Sequence, residues 1–131
     1  RKAIGKKKAD LMASLKNEII SQSKIHSGFM VGSTLSDNKN LRIVTSSAAD
    51  EMLNIEGVKA SFVLSKIGVG KIQISARSLG EENVQLIMEK LGGGGHSTMA
   101  AAQIKGSNIE QAKQMLLDTI DEYIFNKDAG M

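Results

Sequence analysis

"GVKASFVLSKIGVGKIQISARS", residues 57–78, holds two runs of alternating apolar and polar side chains: Ala60, Phe62 and Leu64 in the first, Ile72, Ile74 and Ala76 in the second. A period of two marks a strand with one buried face, and "KIGVG" between the runs has the glycines a reversal needs, so the segment predicts a β-hairpin. The same alternation puts Lys71, Gln73, Ser75 and Arg77 on the face opposite the isoleucines.

On the C-terminal side of the hairpin, Val84, Ile87, Met88 and Leu91 recur at helical spacing, and Ser78 with Glu81 has the spacing of a capping box. A final amphipathic helix is predicted from Ile109, Ala112, Leu116, Ile120 and Tyr123, capped by Ser107 and Glu110 and ending near Asn126. Between these helices "TMAAAQI" (98–104) is compatible with a short helix or a strand. On the N-terminal side, "LRIVTSSAADEMLNI" (41–55) becomes helical, with Ser47 and Asp50 as its capping box. "SDNKN" (36–40) reads as a loop and "GFMVGST" (28–34) as a strand. Leu11, Leu15 and Ile19 predict an amphipathic helix over roughly residues 6 to 23. Helices mixed with strands imply an α/β fold: a single domain with a mixed β-sheet flanked by helices. Residues 1–27 are expected to be an N-terminal helix or linker from a preceding domain, and 28–131 the domain itself.

The size of the chain agrees, since 131 residues at 41% hydrophobic content suffice for one core. Its first residue, Arg1, suggests a piece of a longer protein. No apolar run approaches a membrane span and no signal pattern is present, and zero cysteines fit a reducing interior, so a cytoplasmic domain is expected. The net charge of +3 is an end effect. "RKAIGKKK" contributes five positive charges, which leaves −2 for the remainder. A long polyanion needs an extended basic track, and 3% aromatic content without tryptophan offers no stacking platform for single strands.

"LGGGGHSTMAAAQI", residues 91–104, poses the functional question. Ending a helix takes one glycine, and ordering consecutive glycines costs conformational entropy. Two readings stand for Gly92, Gly93, Gly94 and Gly95: a flexible surface loop, or a backbone nest whose N–H groups hold a phosphate or another anion. Apolar segments on both sides favour the tight loop. His96 follows directly, and its imidazole can donate to a phosphate oxygen or carry charge. Arg77 stands at the end of the second hairpin strand, where a guanidinium could offer a phosphate paired donors.

Other chemistries find no support. Paired-metal hydrolysis needs clustered aspartates and histidines, and His26 and His96 are each followed by serine, with no Asp-His-His or His-x-x-x-His grouping. No Gly-Lys-Ser/Thr follows the glycines, so there is no P-loop, and two histidines among many serines and acids define no Ser-His-Asp triad. No catalytic residue and no metal ligand is assigned.

"ISARSLGEENVQLIMEKLGGGGH" (74–96) resembles the DHH-associated domain, subtype one, the C-terminal half of DHH-type phosphoesterases. The cyclic di-AMP-degrading branch has a similar S-x-R-S strand end, N-V-Q helix and G-G-G-H loop, and "SSAADEMLNIEGV" and "VKASFVLSK" extend the likeness over roughly residues 43 to 125. The resemblance implies a mixed sheet flanked by helices that closes over an N-terminal DHH catalytic domain of the same chain, which holds two manganese ions. It implies phosphate or nucleotide binding by Arg77, Ser78 and Gly92, Gly93, Gly94, Gly95 and His96, with no cofactor bound by this part and no activity from it alone. The implied substrate is cyclic di-AMP or its linear dinucleotide. The implied partners include a second copy in a homodimer, and the parent protein is of a kind often membrane-anchored. Two alternatives accompany this reading: a domain of an oligoribonuclease or single-strand exonuclease of the same superfamily, and a nucleic-acid-binding module.

Overall fold

The computed structural model describes residues 2–36 and 40–130. A six-stranded mixed sheet and four helices form a single α/β domain. The strands are β1 (Lys24–His26), β2 (Phe29–Thr34), β3 (Ala60–Gly68), β4 (Lys71–Ser78), β5 (Gly94–Gly95) and β6 (Met99–Lys105). The helices are α1 (Lys2–Gln22), α2 (Leu41–Met52), α3 (Val84–Lys90) and α4 (Ile109–Ala129). Across the sheet the order is β1-β2-β3-β4-β6-β5. The pair β2–β3 is parallel and joined through α2; every other neighbouring pair is antiparallel.

The hairpin expected over residues 57–78 is β3–β4, with Phe62 opposite Ala76 and Leu64 opposite Ile74. Its reversal uses Gly70 at φ 65, a left-handed value that suits glycine. The even-numbered face of this hairpin packs under α3 and α4, where Phe62, Leu64, Ile74, Ile87, Leu116 and Ile120 are completely buried. Phe29 stacks on Phe62 and meets Tyr123 edge-on, and the Tyr123 hydroxyl accepts from the Asn83 N–H at 2.9 Å, so the aromatic ring is packed and its polar end is satisfied.

A second, smaller core lies on the other face. There α1 and α2 cover β2 and β3 through Ile19, Met30, Val44, Met52 and Val63. The Ser61 hydroxyl donates to the Ala49 carbonyl at 2.6 Å and ties α2 to β3. The helical cover on this side ends with α2, which packs on β3 and borders β4; beyond it no described helix packs on this face of β6 and β5.

Several element boundaries differ from the sequence expectation. Residues 98–104, compatible with either state, form strand β6 from Met99, because alternate alanines and Ile104 complete the core. Helix α2 starts at Leu41 after Asn40, so Ser47 and Asp50 lie inside it rather than at its cap. Ser78 is the last residue of β4, and Gly80 at φ 122 holds the chain out of helix until Asn83 caps α3 by accepting from the Leu86 N–H. In α4 the capping box is Asn108 with Gln111, one residue beyond the expected pair. The final helix continues past Asn126 to Ala129, and α1 begins at Lys2. Neither β1 nor β5 was expected. The loop predicted over residues 36–40 lies mostly outside the described residues.

Candidate functional site

The uncovered sheet face follows from strand parity. Val63 points into the α2 core, and its cross-strand partner is Ser75, so Gln73, Ser75 and Arg77 of β4 share that side. Their partners on β6 are Gln103, Ala101 and Met99. Helix α2 borders this face with Arg42, Ser46 and Asp50, spaced four apart along one stripe. Together with Gly94 and Gly95 of β5, most of these residues line an open cleft of about 400 Å³, a volume within the range of small-molecule sites.

Arg77 is held in the cleft by two contacts. Its Nε donates to Asp50 Oδ1 at 3.0 Å and its Nη1 to the Ala76 carbonyl at 2.9 Å. The Arg77 side chain is 12% exposed, so these contacts fix a largely sheltered guanidinium. A guanidinium has five N–H donors, and these two bonds use two of them. With Arg42 at the mouth, the cleft sets two cations against the one carboxylate of Asp50.

The four glycines are divided between three structural tasks. Gly92, at φ 86, ends α3: its N–H donates to the Glu89 carbonyl and that of Gly93 to the Met88 carbonyl, the two bonds of a Schellman motif. Gly93 lies so close to β6 that an added Cβ would sit 2.1 Å from the Ala101 carbonyl oxygen. Gly95, at φ 143, would place one 2.6 Å from Ala100 Cα. Gly94 faces the cleft and has nothing within 4 Å of where a Cβ would be.

The N–H groups of Gly92 and Gly93 are thus spent on α3 carbonyls, and the four amides do not converge as one nest. Gly94 pairs with Ala101, and His96 exchanges bonds with Met99 through both backbone groups. The alternation of an antiparallel ladder then makes Gly94–Ala101 a bonded pair and directs the Gly95 N–H away from β6, to the open edge.

His96 occupies the turn between β5 and β6, beside the cleft but not in its wall, with an exposed side chain. Ser78 lies on the buried side of β4, where its hydroxyl donates to the Ser97 carbonyl at 3.1 Å and its N–H to the Thr98 carbonyl at 3.0 Å. Its side chain anchors the β5–β6 turn instead of lining the cleft. Arg42, Ser46, Gln73, Ser75 and Gln103 line the cleft without having been singled out by sequence reasoning; the strand alternation already placed Gln73 and Ser75 on the face of Arg77.

Among the described residues no group of three or more His, Asp or Glu side chains converges as a metal site would require. The described helices include none long and apolar enough to cross a membrane.

The chain is 47% identical over 98 residues to the cyclic-di-AMP phosphodiesterase PdeA of Listeria monocytogenes, an alignment covering 75% of this chain and 15% of that protein. It is 51% identical over 82 residues to the cyclic-di-AMP phosphodiesterase GdpP of Geobacillus thermodenitrificans, covering 63% of this chain and 12% of that one. It thus spans a small part of these relatives. A crystal structure of an exopolyphosphatase-related protein from Bacteroides fragilis superposes with a TM-score of 0.74 at 18% identity, over 86% of this chain and 34% of that chain, a likeness of fold. The family profile of the DHHA1 domain matches residues 27–125, which takes in strands β2 to β6, Arg77 and the glycine turn, and the chain belongs to that family.

Proposed function

We propose that this chain is the substrate-recognition part of a DHH-type phosphodiesterase whose substrate is cyclic di-AMP or its linear dinucleotide. The observation that carries this reading is Arg77 opposite Gly94 and Gly95 in one cleft, on a sheet face left open by the helices. The names of the relatives support the substrate class.

In this reading the free N–H groups of Arg77 hold a phosphate in paired hydrogen bonds, with Asp50 and the Ala76 carbonyl fixing the plane of the guanidinium. Gly94, without a side chain, lets the phosphate approach the backbone. His96 donates from the turn beside the cleft, and Ser78 holds that turn in place. The donor set of the described residues does not fit a metal centre, so manganese and the hydrolytic step belong to a DHH half, and no step through a metal is assigned to this chain.

The test is hydrolysis of cyclic di-AMP by the protein in which this chain is joined to its DHH half. Arg77→Ala is expected to lower kcat/KM about 10- to 100-fold, the equivalent of losing one or two charge-assisted hydrogen bonds. Arg77→Lys should recover little, because an ammonium cannot reproduce the planar fork. Wild-type rates in both variants would remove Arg77 from the site. Faster hydrolysis of a short oligonucleotide than of the cyclic dinucleotide would transfer the assignment to the nuclease alternative.

A further inference from the structure

The open sheet face carries a pair of amides that phosphate binding leaves unused. Gln73 on β4 and Gln103 on β6 are direct cross-strand partners, and Gln103 Nε2 donates to Gln73 Oε1 at 3.1 Å. This bond consumes the acceptor side of one carboxamide and a donor of the other. What remains is a donor on Gln73 beside an acceptor on Gln103. Rotating both amides together reverses the order but keeps the pairing, so the coupled side chains offer a donor next to an acceptor in either arrangement. A purine edge presents the complement: on adenine, the N6 amino group beside a ring-nitrogen acceptor.

The pair also occupies a suggestive place. The cleft of about 400 Å³ leads from it to Arg77, and a second depression of about 420 Å³ leads to Lys105. Gln73, Ala101 and Gln103 line both. Between the amides and Arg77 the floor consists of the small side chains of Ser75 and Ala101, which leave room for a flat ligand. Arg77 lies four residue steps along β4 from Gln73, about 13 Å. That distance is comparable to an extended nucleoside monophosphate measured from its phosphate to the far edge of its base.

We propose that Gln73 and Gln103 form a nucleobase subsite, in which the coupled carboxamides hydrogen-bond the edge of a purine whose phosphate is held by Arg77 at Gly94. This inference rests on the phosphate reading of the cleft and adds the recognition of the base.

Titration of the full chain with 5′-AMP and with ribose 5-phosphate, followed by NMR, separates the two ideas. Both ligands should shift the Arg77 Nε–H and Gly94 signals. AMP alone should shift the side-chain amides of Gln73 and Gln103, and should bind about tenfold more tightly, the gain expected from one good base contact. In the Gln73→Leu/Gln103→Leu double variant AMP should bind no better than ribose 5-phosphate, whose own affinity stays unchanged. Gln103→Leu alone, at an exposed position, should move AMP binding in the same direction without burdening the fold. A double variant that keeps the preference for AMP, or a wild-type chain that binds both ligands equally, overturns the base subsite and leaves the phosphate reading standing. If neither ligand perturbs Arg77 or Gly94, the phosphate reading fails and the subsite with it.

Discussion

Gly94 differs from the other glycines of its run in that the fold alone gives no reason for it. Gly92 and Gly95 have left-handed φ values, and Gly93 and Gly95 lie against β6 too closely for a methyl group, whereas Gly94 has neither constraint. Gly94→Ala is therefore expected to leave stability within about 1 kcal/mol of the parent, while impairing dinucleotide turnover in the protein joined to its DHH half. Gly93→Ala, which presses a methyl into β6 backbone, should cost about 1–3 kcal/mol or more. Chemical denaturation of the two variants checks the contrast, and equal losses would contradict it. Arg77 and the glycines could be chosen from the sequence by residue type, since a guanidinium at a strand end and a glycine run both suggest anions. Arg42 and Gln103 could not. Their places depend on α2 starting at Leu41 and on Met99–Lys105 being strand, and neither was decided by the local sequence.

The helix ends show the same limit. Ser-x-x-acid occurs at Ser47–Asp50, Ser78–Glu81 and Ser107–Glu110, yet the described caps of the last two helices are Asn83 and Asn108. Asparagine competes well for that position because its side-chain oxygen reaches the same N–H groups. Asn108→Ala should thus cost about 1 kcal/mol, measurable by thermal unfolding, and Ser107→Ala much less. The hairpin β3–β4 was legible because its alternation continues over both strands. By contrast β1 has three residues and β5 is two glycines with no pattern to read. The end of α4 is fastened by Lys127, whose Nζ donates to the buried Glu82 carboxylate at 2.8 Å. The hydrogen bond to Glu82, and then its charge, raise the Lys127 pKa above the ordinary 10.5 against an opposing effect of desolvation. A cation whose pKa is raised by folding contributes fully below its unfolded pKa and loses that contribution as pH rises through the folded value. Lys127→Met should accordingly lower stability near neutral pH by about 1–3 kcal/mol, the cost of leaving a buried polar group without its partner. The gap between parent and variant should narrow above pH 10.5 in alkaline denaturation.

Across the molecule, the helices divide unequally between the two faces of the sheet. Helices α3 and α4 cover the central hairpin and β6, whereas α1 and α2 stop at β4. That imbalance exposes the cleft. The mixed α/β class was readable from the alternation and the helical stripes; the imbalance was not, because it arises from long-range packing. The cations of the cleft are few, Arg42 and Arg77 with Lys105 farther along. Binding of a short nucleotide that engages two phosphate contacts should show a log–log salt slope near −1.4, on the scale of about −0.7 per contact for single strands. Affinity measured across a salt series checks this, and a much steeper slope would indicate an extended nucleic-acid track. The two-residue strand β5 has one more effect. Its rim carries no side chains and ends almost at once in the His96 turn, so it provides too short a template for another molecule's strand to zip onto. The open face of the sheet therefore adjoins a border that offers little backbone for strand addition.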